Sequence, residues 1–265
     1  MTGNSSLVRR GTAASVALLI VVLAAWQWGP GLLGIPIFII PPLSAVFDEF
    51  LRMLAVSALM THTGVTALEV IAGFLLGSLL GAFFGYVLGM SPTAEFALSP
   101  YILALQIAPK VAFAPLFVMW FGLGVAPKIV LVVLFVFFVV FMNTAAGLYQ
   151  VNPQLVDVVR VMGARRTDVV WKIALPSTVP YLITGLRIAI PEALVGAVIG
   201  EFIAANRGLG YLVNEAANEL NVSVTMAAIV ALLLIVVAMD IILGAVERRL
   251  LRWRPAQGAP IGARE

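Results

Sequence analysis

The chain contains no cysteine and a single histidine, His62. The first absence excludes a disulfide framework, a thiolate metal site and a cysteine nucleophile. The second excludes a histidine-based metal centre or catalytic triad supplied by this chain alone. Charge is equally scarce: 11% of the 265 residues are charged and 62% are hydrophobic, where a soluble domain carries about 25% charge. A phosphate-cradling loop is missing too, because it must end in Gly-Lys-Ser/Thr, whereas Lys110, Lys128 and Lys172 each follow proline or tryptophan. No long-period repeat interrupts the sequence.

What remains is apolar sequence in long runs. A helix crosses a bilayer core with about 20 residues, and the runs predict an all-α integral membrane protein of about six transmembrane helices, at roughly 13–28, 62–88, 96–121, 128–149, 180–203 and 222–246. Six spans put both termini on one side. An inside N-terminus leaves Arg52, Lys128 and Arg207 outside and gathers Arg9, Arg10, Arg160, Arg165, Arg166, Lys172, Arg248, Arg249, Arg252, Arg254 and Arg264 in the cytoplasm, as the positive-inside rule favours. Arg9 and Arg10 before a short apolar core, with Ala24-Ala25 after it, also fit a cleaved signal peptide, but a retained anchor is expected. The segment GIPIFIIPPLSAVFDEFLRML then lies outside. Its prolines break any span, and Ser44 is expected to cap a short interfacial helix.

The stretch NPQLVDVVRVMGARRTDVVWKIALP, Asn152 to Pro176, carries six charged residues between spans that have almost none. Asn152 followed by Pro153 is a helix start and Gly163 a helix stop. Leu155, Val159 and Met162 recur at helical spacing on one side, giving an amphipathic helix too short to span. A second short helix, from about Arg165 to Lys172, is expected to end before Pro176. The pair reads as an exposed cytoplasmic elbow.

From Asp157 the order is an acid, two apolar residues, then Gly163, then Ile173 and Leu175-Pro176. This resembles the cytoplasmic "EAA" loop of bacterial ABC-importer permeases, which docks on an ATP-hydrolysing partner. Asp157-Val158-Val159 departs from Glu-Ala-Ala but keeps the carboxylate. The literal EAA at Glu215 to Ala217 lacks the glycine and the Leu-Pro at the matching offsets. PKVAFAPLFVMWFGLG (from Pro109), GLR (from Gly185), GEFIAANRGLGYL (from Gly200) and ERRLLRW (from Glu247) are similar to permeases of the nitrate/sulfonate/taurine type, which include transporters of vitamin precursors.

The resemblance implies a type I ABC-importer permease fold with a cytoplasmic coupling helix, in a bacterial cytoplasmic (inner) membrane. It divides the chain into a cytoplasmic N-terminus (1–12), a single transmembrane permease domain (13–254, coupling loop 152–176) and a flexible cytoplasmic tail (255–265). Asp157, Arg160, Gly163, Arg165, Arg166, Leu175 and Pro176 become the expected ATPase-coupling residues, and Arg207 and Gly208 the docking point of an extracytoplasmic substrate-binding protein. The implied partners are an ABC ATPase dimer, which carries ATP and magnesium, a second permease copy and membrane lipid. No cofactor or metal in this chain, no catalytic residue and no nucleic-acid partner is expected.

Charged residues inside spans are functional candidates, with structural pairing as the ordinary alternative. Lys110 lies between the helix-bending Pro109 and Pro115. It is expected either to pair with Glu69 or Glu192, or to line the translocation path with Phe113, Phe117 and Glu192. Asp240 resembles a structural residue of the family's last span, and Arg187 is close enough to the cytoplasmic side to snorkel. Gly73, Gly77, Gly81, Gly85 and Gly89 recur every four residues, a stripe for close helix packing within one subunit or for a sliding dimer interface. The solute is expected to be a small anion such as a sulfonate, nitrate or a carboxylate. The competing reading is a proton-coupled secondary transporter relaying through Glu69, Glu192 and Asp240.

Overall fold

The computed structural model describes residues Gly3 to Arg252. The expected tail 255–265, together with Trp253, Arg254 and Arg264, lies outside the described residues, as do the side chains of Arg9 and Arg10. All regular structure among the described residues is helical. The chain divides into two compact units, one built from residues up to Val65 plus Asn206–Leu232, the other from Thr66–Ala205 plus the chain from Leu233 onward.

The first unit contains α1 (Gly3–Leu32), α2 (Leu43–Ala55), the opening turns of α3 (Ala58–Gly89), α10 (Leu209–Asn218) and the beginning of α11 (Val222–Leu250). Within α1 the apolar stretch Ala14–Leu32 is long enough to cross a membrane, yet only 6% of it is buried by protein. Hydrogen bonds tie its end to the start of α2. Trp26 Nε1 donates to the Pro41 carbonyl at 3.0 Å. The Gln27 amide accepts from the Ser44 backbone at 2.9 Å and donates to its hydroxyl at 3.0 Å. Ser44 therefore does not cap α2: the N-cap is Pro42, without a side-chain bond, and Gln27 satisfies the Ser44 N–H that a capping oxygen would otherwise serve.

The second unit is organised around α6 (Ala126–Tyr149), with α3 and α9 (Leu175–Ala204) packed against it. Gly73, Gly77, Gly81, Gly85 and Gly89 of α3 all meet α6, whereas Gly64, near its start, meets nothing within 4 Å. A β-carbon on Gly81 would lie 2.7 Å from the Phe137 carbonyl oxygen, and one on Gly85 would lie 2.7 Å from that of Phe141. From α9, a β-carbon on Gly196 would stand 3.0 Å from the Val132 Cα and one on Gly185 2.7 Å from the Asn143 side chain. The α3 stripe thus serves close packing within one subunit. Between the helices lies a core of Val70, Val132, Val136, Val140, Ala189, Ala193 and Ala197, each fully buried. Polar side chains among these helices bond back to their own backbone, Thr144 to the Val140 carbonyl at 2.7 Å and Asn143 to that of Val139 at 2.8 Å, so neither donor meets an apolar surface unsatisfied.

Two expectations on span boundaries need correction. The run 96–121 is not one helix. It is α4 (Pro92–Ile107), a 3₁₀ turn (Lys110–Phe113) and α5 (Ala114–Phe121), with the axis bent by 83°. The break falls at Pro109, whose ψ of 91° leaves the helical region, while Pro115 opens α5 in its first turn rather than bending anything. Nor does the second elbow helix stop before Pro176. After α7 (Pro153–Val161), α8 (Arg166–Val169) runs through a π-helical turn (Val170–Ala174) directly into α9. Pro176 has no N–H to give and its ring crowds the carbonyl four residues back, that of Lys172. The wider π turn supplies the room.

If the α3 glycines fix the α3–α6 distance, Gly85→Val should cost about 1–3 kcal/mol through overpacking. The expected outcome is a lower unfolding temperature and a lower yield of monodisperse protein in detergent, whereas Gly29→Val, whose β-carbon would meet nothing within 4 Å, should change neither.

Candidate functional site: an exposed elbow, a broken helix and a buried charge cluster

The elbow is built as its sequence dictates. Asn152 caps α7 by accepting from the Gln154 N–H at 2.9 Å, and Pro153 occupies the first turn. Gly163 ends it with a φ of +87°, a conformation that L side chains rarely adopt. Asp168 accepts from the Arg165 N–H at 3.0 Å and from Lys172 at 2.7 Å, and Asp157 faces Arg160 at 3.8 Å. The apolar face differs from the expected one. Val156 and Val159 are half-buried, while Leu155, Val158 and Met162 are exposed. No residue of α7 is buried, so the elbow presents an apolar stripe flanked by Asp157, Arg160, Arg165 and Arg166, all exposed. Leu175 and Pro176 are half-buried at the start of α9.

At the break in α4–α5, Lys110 pairs with neither Glu69 nor Glu192. Its ammonium donates to the Gln106 carbonyl at 3.2 Å, in the last turn of α4, and rests over the rings of Phe135 and Phe138 at 5.6 and 5.8 Å. Phe113 stacks on Phe117 at 6.2 Å, and Phe117 is buried with Ala114, Leu131 and Phe135. Glu192 is half-buried on α9.

The carboxylate of Glu69 is instead paired with Lys128. The positive-inside count placed that lysine among the outer cations, but its side chain is 5% exposed and its ammonium contacts Glu69 directly. Beside them Thr66 donates to Glu201 at 2.6 Å. Thr66, Glu69, Lys128 and Glu201 are all buried, and they tie α3, α6 and α9 together with two carboxyl groups and one ammonium. Lys128 fits there because α9 offers Gly200, where a β-carbon would lie 3.0 Å from the lysine stem. Sequence reasoning missed Thr66 and Glu201 and misplaced Lys128. The available signal was a carboxylate in each of two apolar runs and a lysine opening a third. Arg187 pairs with Asp240 at 3.2 Å and Glu247 at 2.8 Å between α9 and α11.

In the first unit Arg207 is exposed and Gly208 buried. Gly208, with a φ of +131°, is the N-cap of α10. Its N–H and carbonyl lie 3.1 and 3.0 Å from His62 Nδ1, and the His62 ring stacks on Tyr211. The Tyr211 hydroxyl donates to Glu215 at 2.7 Å, which holds the phenol above its ordinary pKa. Among the described residues no group of His, Asp and Glu is arranged to hold a metal ion.

An all-helical membrane protein with a sharply bent apolar helix pair, a buried ion pair and an exposed charged elbow has the features of a polytopic transport component. Residues 73–252 match the family of binding-protein-dependent transport system inner membrane components, and the chain belongs to that family. It is 33% identical to the riboflavin transport system permease protein of Chloroflexus aurantiacus over 89% of this chain and 88% of that protein. It is 32% identical to the taurine transport system permease protein of Escherichia coli over 92% and 90%, and 31% identical to the formylaminopyrimidine transport permease protein of Halalkalibacterium halodurans over 90% and 94%. An inward-facing structure of the MetNI methionine ABC transporter shares the fold, with a TM-score of 0.59 at 20% identity, covering 75% of this chain and 98% of that one. The chain is thus a permease subunit of an ABC importer.

Removing the ammonium from the buried cluster should leave a carboxylate uncompensated, at a cost of about 3–5 kcal/mol. Lys128→Met should therefore lower the unfolding temperature and the folded yield in detergent, and Lys128→Met with Glu69→Gln should recover much of the loss. Absence of rescue would separate Glu69 from the damage.

Proposed function

We propose that this chain moves a small solute inward across a bacterial cytoplasmic membrane as one of two identical permease subunits, powered by a separate ABC ATPase dimer that binds ATP and magnesium, and supplied by an extracytoplasmic binding protein. The observation that carries the reading is the elbow: Leu155, Val158 and Met162 exposed beside charged residues, turned by a glycine at φ +87°. An apolar stripe with a charged rim suits a groove on a soluble partner. The ATPase would engage Asp157, Arg160, Gly163, Arg165 and Arg166, with Leu175 and Pro176 joining that contact to α9. This places both termini in the cytoplasm, an orientation supported by the positive-inside rule with Arg52 and Arg207 as the remaining outer cations. Arg207 is then free to meet the binding protein, with Gly208, held by His62, shaping the loop beneath it.

For the solute, the reading favours an anion such as a sulfonate, nitrate or a carboxylate. Lys110 is half-buried at a helix break and its neighbours are a carbonyl and two aromatic rings rather than a carboxylate, so an anion passing with Phe113, Phe117 and Glu192 nearby would supply the missing countercharge. The proton-relay alternative draws less support, because Glu69 and Asp240 are engaged with Lys128 and Arg187.

Affinity-tagged protein taken from its native host should bring down an ATPase and a binding protein, and recovery of neither would remove the main support. Gly163→Ile should insert normally but lose binding-protein-stimulated ATP hydrolysis and uptake, because a β-branched residue at positive φ costs about 1–2 kcal/mol and distorts the docking turn. Lys110→Met should reduce uptake of an anionic solute while leaving assembly and basal ATP hydrolysis nearly unchanged. Equal loss of assembly would argue for a structural lysine.

A further inference from the structure

We propose that α2 is an in-plane membrane helix whose Phe47, Leu51 and Leu54 are seated among lipid acyl chains, so that the first unit is held by the bilayer surface as well as by the span α1. The basis is a three-way division of the helix surface. At about 100° per residue, Val46 and Met53 fall on one side, and they are 2% and 6% exposed, packed against protein. Phe47, Leu51 and Leu54 form a second stripe, apolar and 59%, 46% and 40% exposed. Ser44, Asp48 and Arg52 form a third, polar stripe, with Asp48 and Arg52 exposed and Arg52 anchored to Glu49 at 2.5 Å. A helix in water needs two such faces, one for protein and one for solvent. A helix at the boundary of protein, lipid and water needs three.

Lipid is the proposed occupant because the apolar stripe follows directly on a membrane-length helix that the chain itself scarcely buries. The span Ala14–Leu32 is almost unburied by protein. At its end and beyond, Leu32, Leu33, Ile37, Phe38 and Ile39 are all more than half exposed, and they lead through Pro41 and Pro42 into α2. The Gln27–Ser44 and Trp26–Pro41 hydrogen bonds hold the start of α2 beside the end of α1, at the depth where a spanning helix leaves the hydrocarbon. Apolar side chains of interfacial helices reach about 5–10 Å into the headgroup and acyl boundary, a depth suited to Phe and Leu, with Asp48 and Arg52 turned toward the headgroups and water.

The chain has no cysteine, so a nitroxide label can be placed at one position at a time. Full-length Phe47→Cys, Leu51→Cys, Asp48→Cys and Arg52→Cys proteins, labelled and reconstituted in nanodiscs of phosphatidylethanolamine and phosphatidylglycerol, would be compared for collision with oxygen, which concentrates in lipid, and with a water-soluble nickel chelate. Positions 47 and 51 should be reached by oxygen and shielded from nickel, and positions 48 and 52 should show the reverse, a severalfold contrast in the ratio. Nickel reaching 47 and 51 as readily as 48 and 52 would put the stripe in water and overturn the proposal. Shielding of 47 and 51 from both reagents would put protein over it, a second copy of the chain for instance, and overturn it equally. Leu54→Cys and Ser44→Cys repeat the comparison should either stripe lose a variant to poor folding.

Discussion

Helix α6 is approached on two sides to the distance of bare backbone, and the rest of the second unit depends on that constraint. In lipid, helices gain little by hiding apolar side chains from water, so association rests on close van der Waals contact and on polar links. The glycines of α3 and those of α9 at 185, 196 and 200 provide the first. The Thr66, Glu69, Lys128 and Glu201 cluster provides the second. The two devices belong together: Gly200 makes the room into which the Lys128 stem fits, and without that room the ammonium would stand off from the carboxyl groups it serves. A buried ion pair adds little net stability by itself. Its geometry matches the helix alignment that the glycines allow, with Lys128 brought to Glu69.

Where backbone geometry is governed by residues close in sequence, it could be read directly. The elbow is the clearest case: Asn152, Pro153 and Gly163 each act within a few residues, and each has the expected conformation. The break at Pro109 was legible for the same reason. Its sharpness was not, since an 83° turn depends on what Lys110 and Phe113 find on α6. The continuity of the elbow into α9 was missed because Pro176 looks like a stop unless a π turn is available upstream. Ser44 looked like a cap because Gln27, its actual partner, lies 17 residues away.

Pairing between helices was the least legible. Lys110 stands between two prolines, with Glu69 and Glu192 as the carboxylates expected to pair with it. The Glu69 carboxylate belonged to Lys128, which opens its own span and so looked like a residue at the membrane edge. The expected span 128–149 begins at Lys128 itself, and a charge at the end of an apolar run reads as one in water. The family match likewise begins at Gly73, the first glycine of the stripe, and leaves α1 and α2 to be understood from their own surfaces.

The buried cluster also has a temporal side. During synthesis α3 leaves the ribosome before α6, and α6 before α9, so Glu69 emerges ahead of both Lys128 and Glu201. An acidic residue near a helix centre opposes insertion by about 3 kcal/mol. The 32 residues of Ala58–Gly89, at a mean hydropathy of 2.0, must outweigh that opposition. Lys128 then follows that carboxylate, so the emerging α6 is guided to its neighbour by the charge that the earlier helix carries.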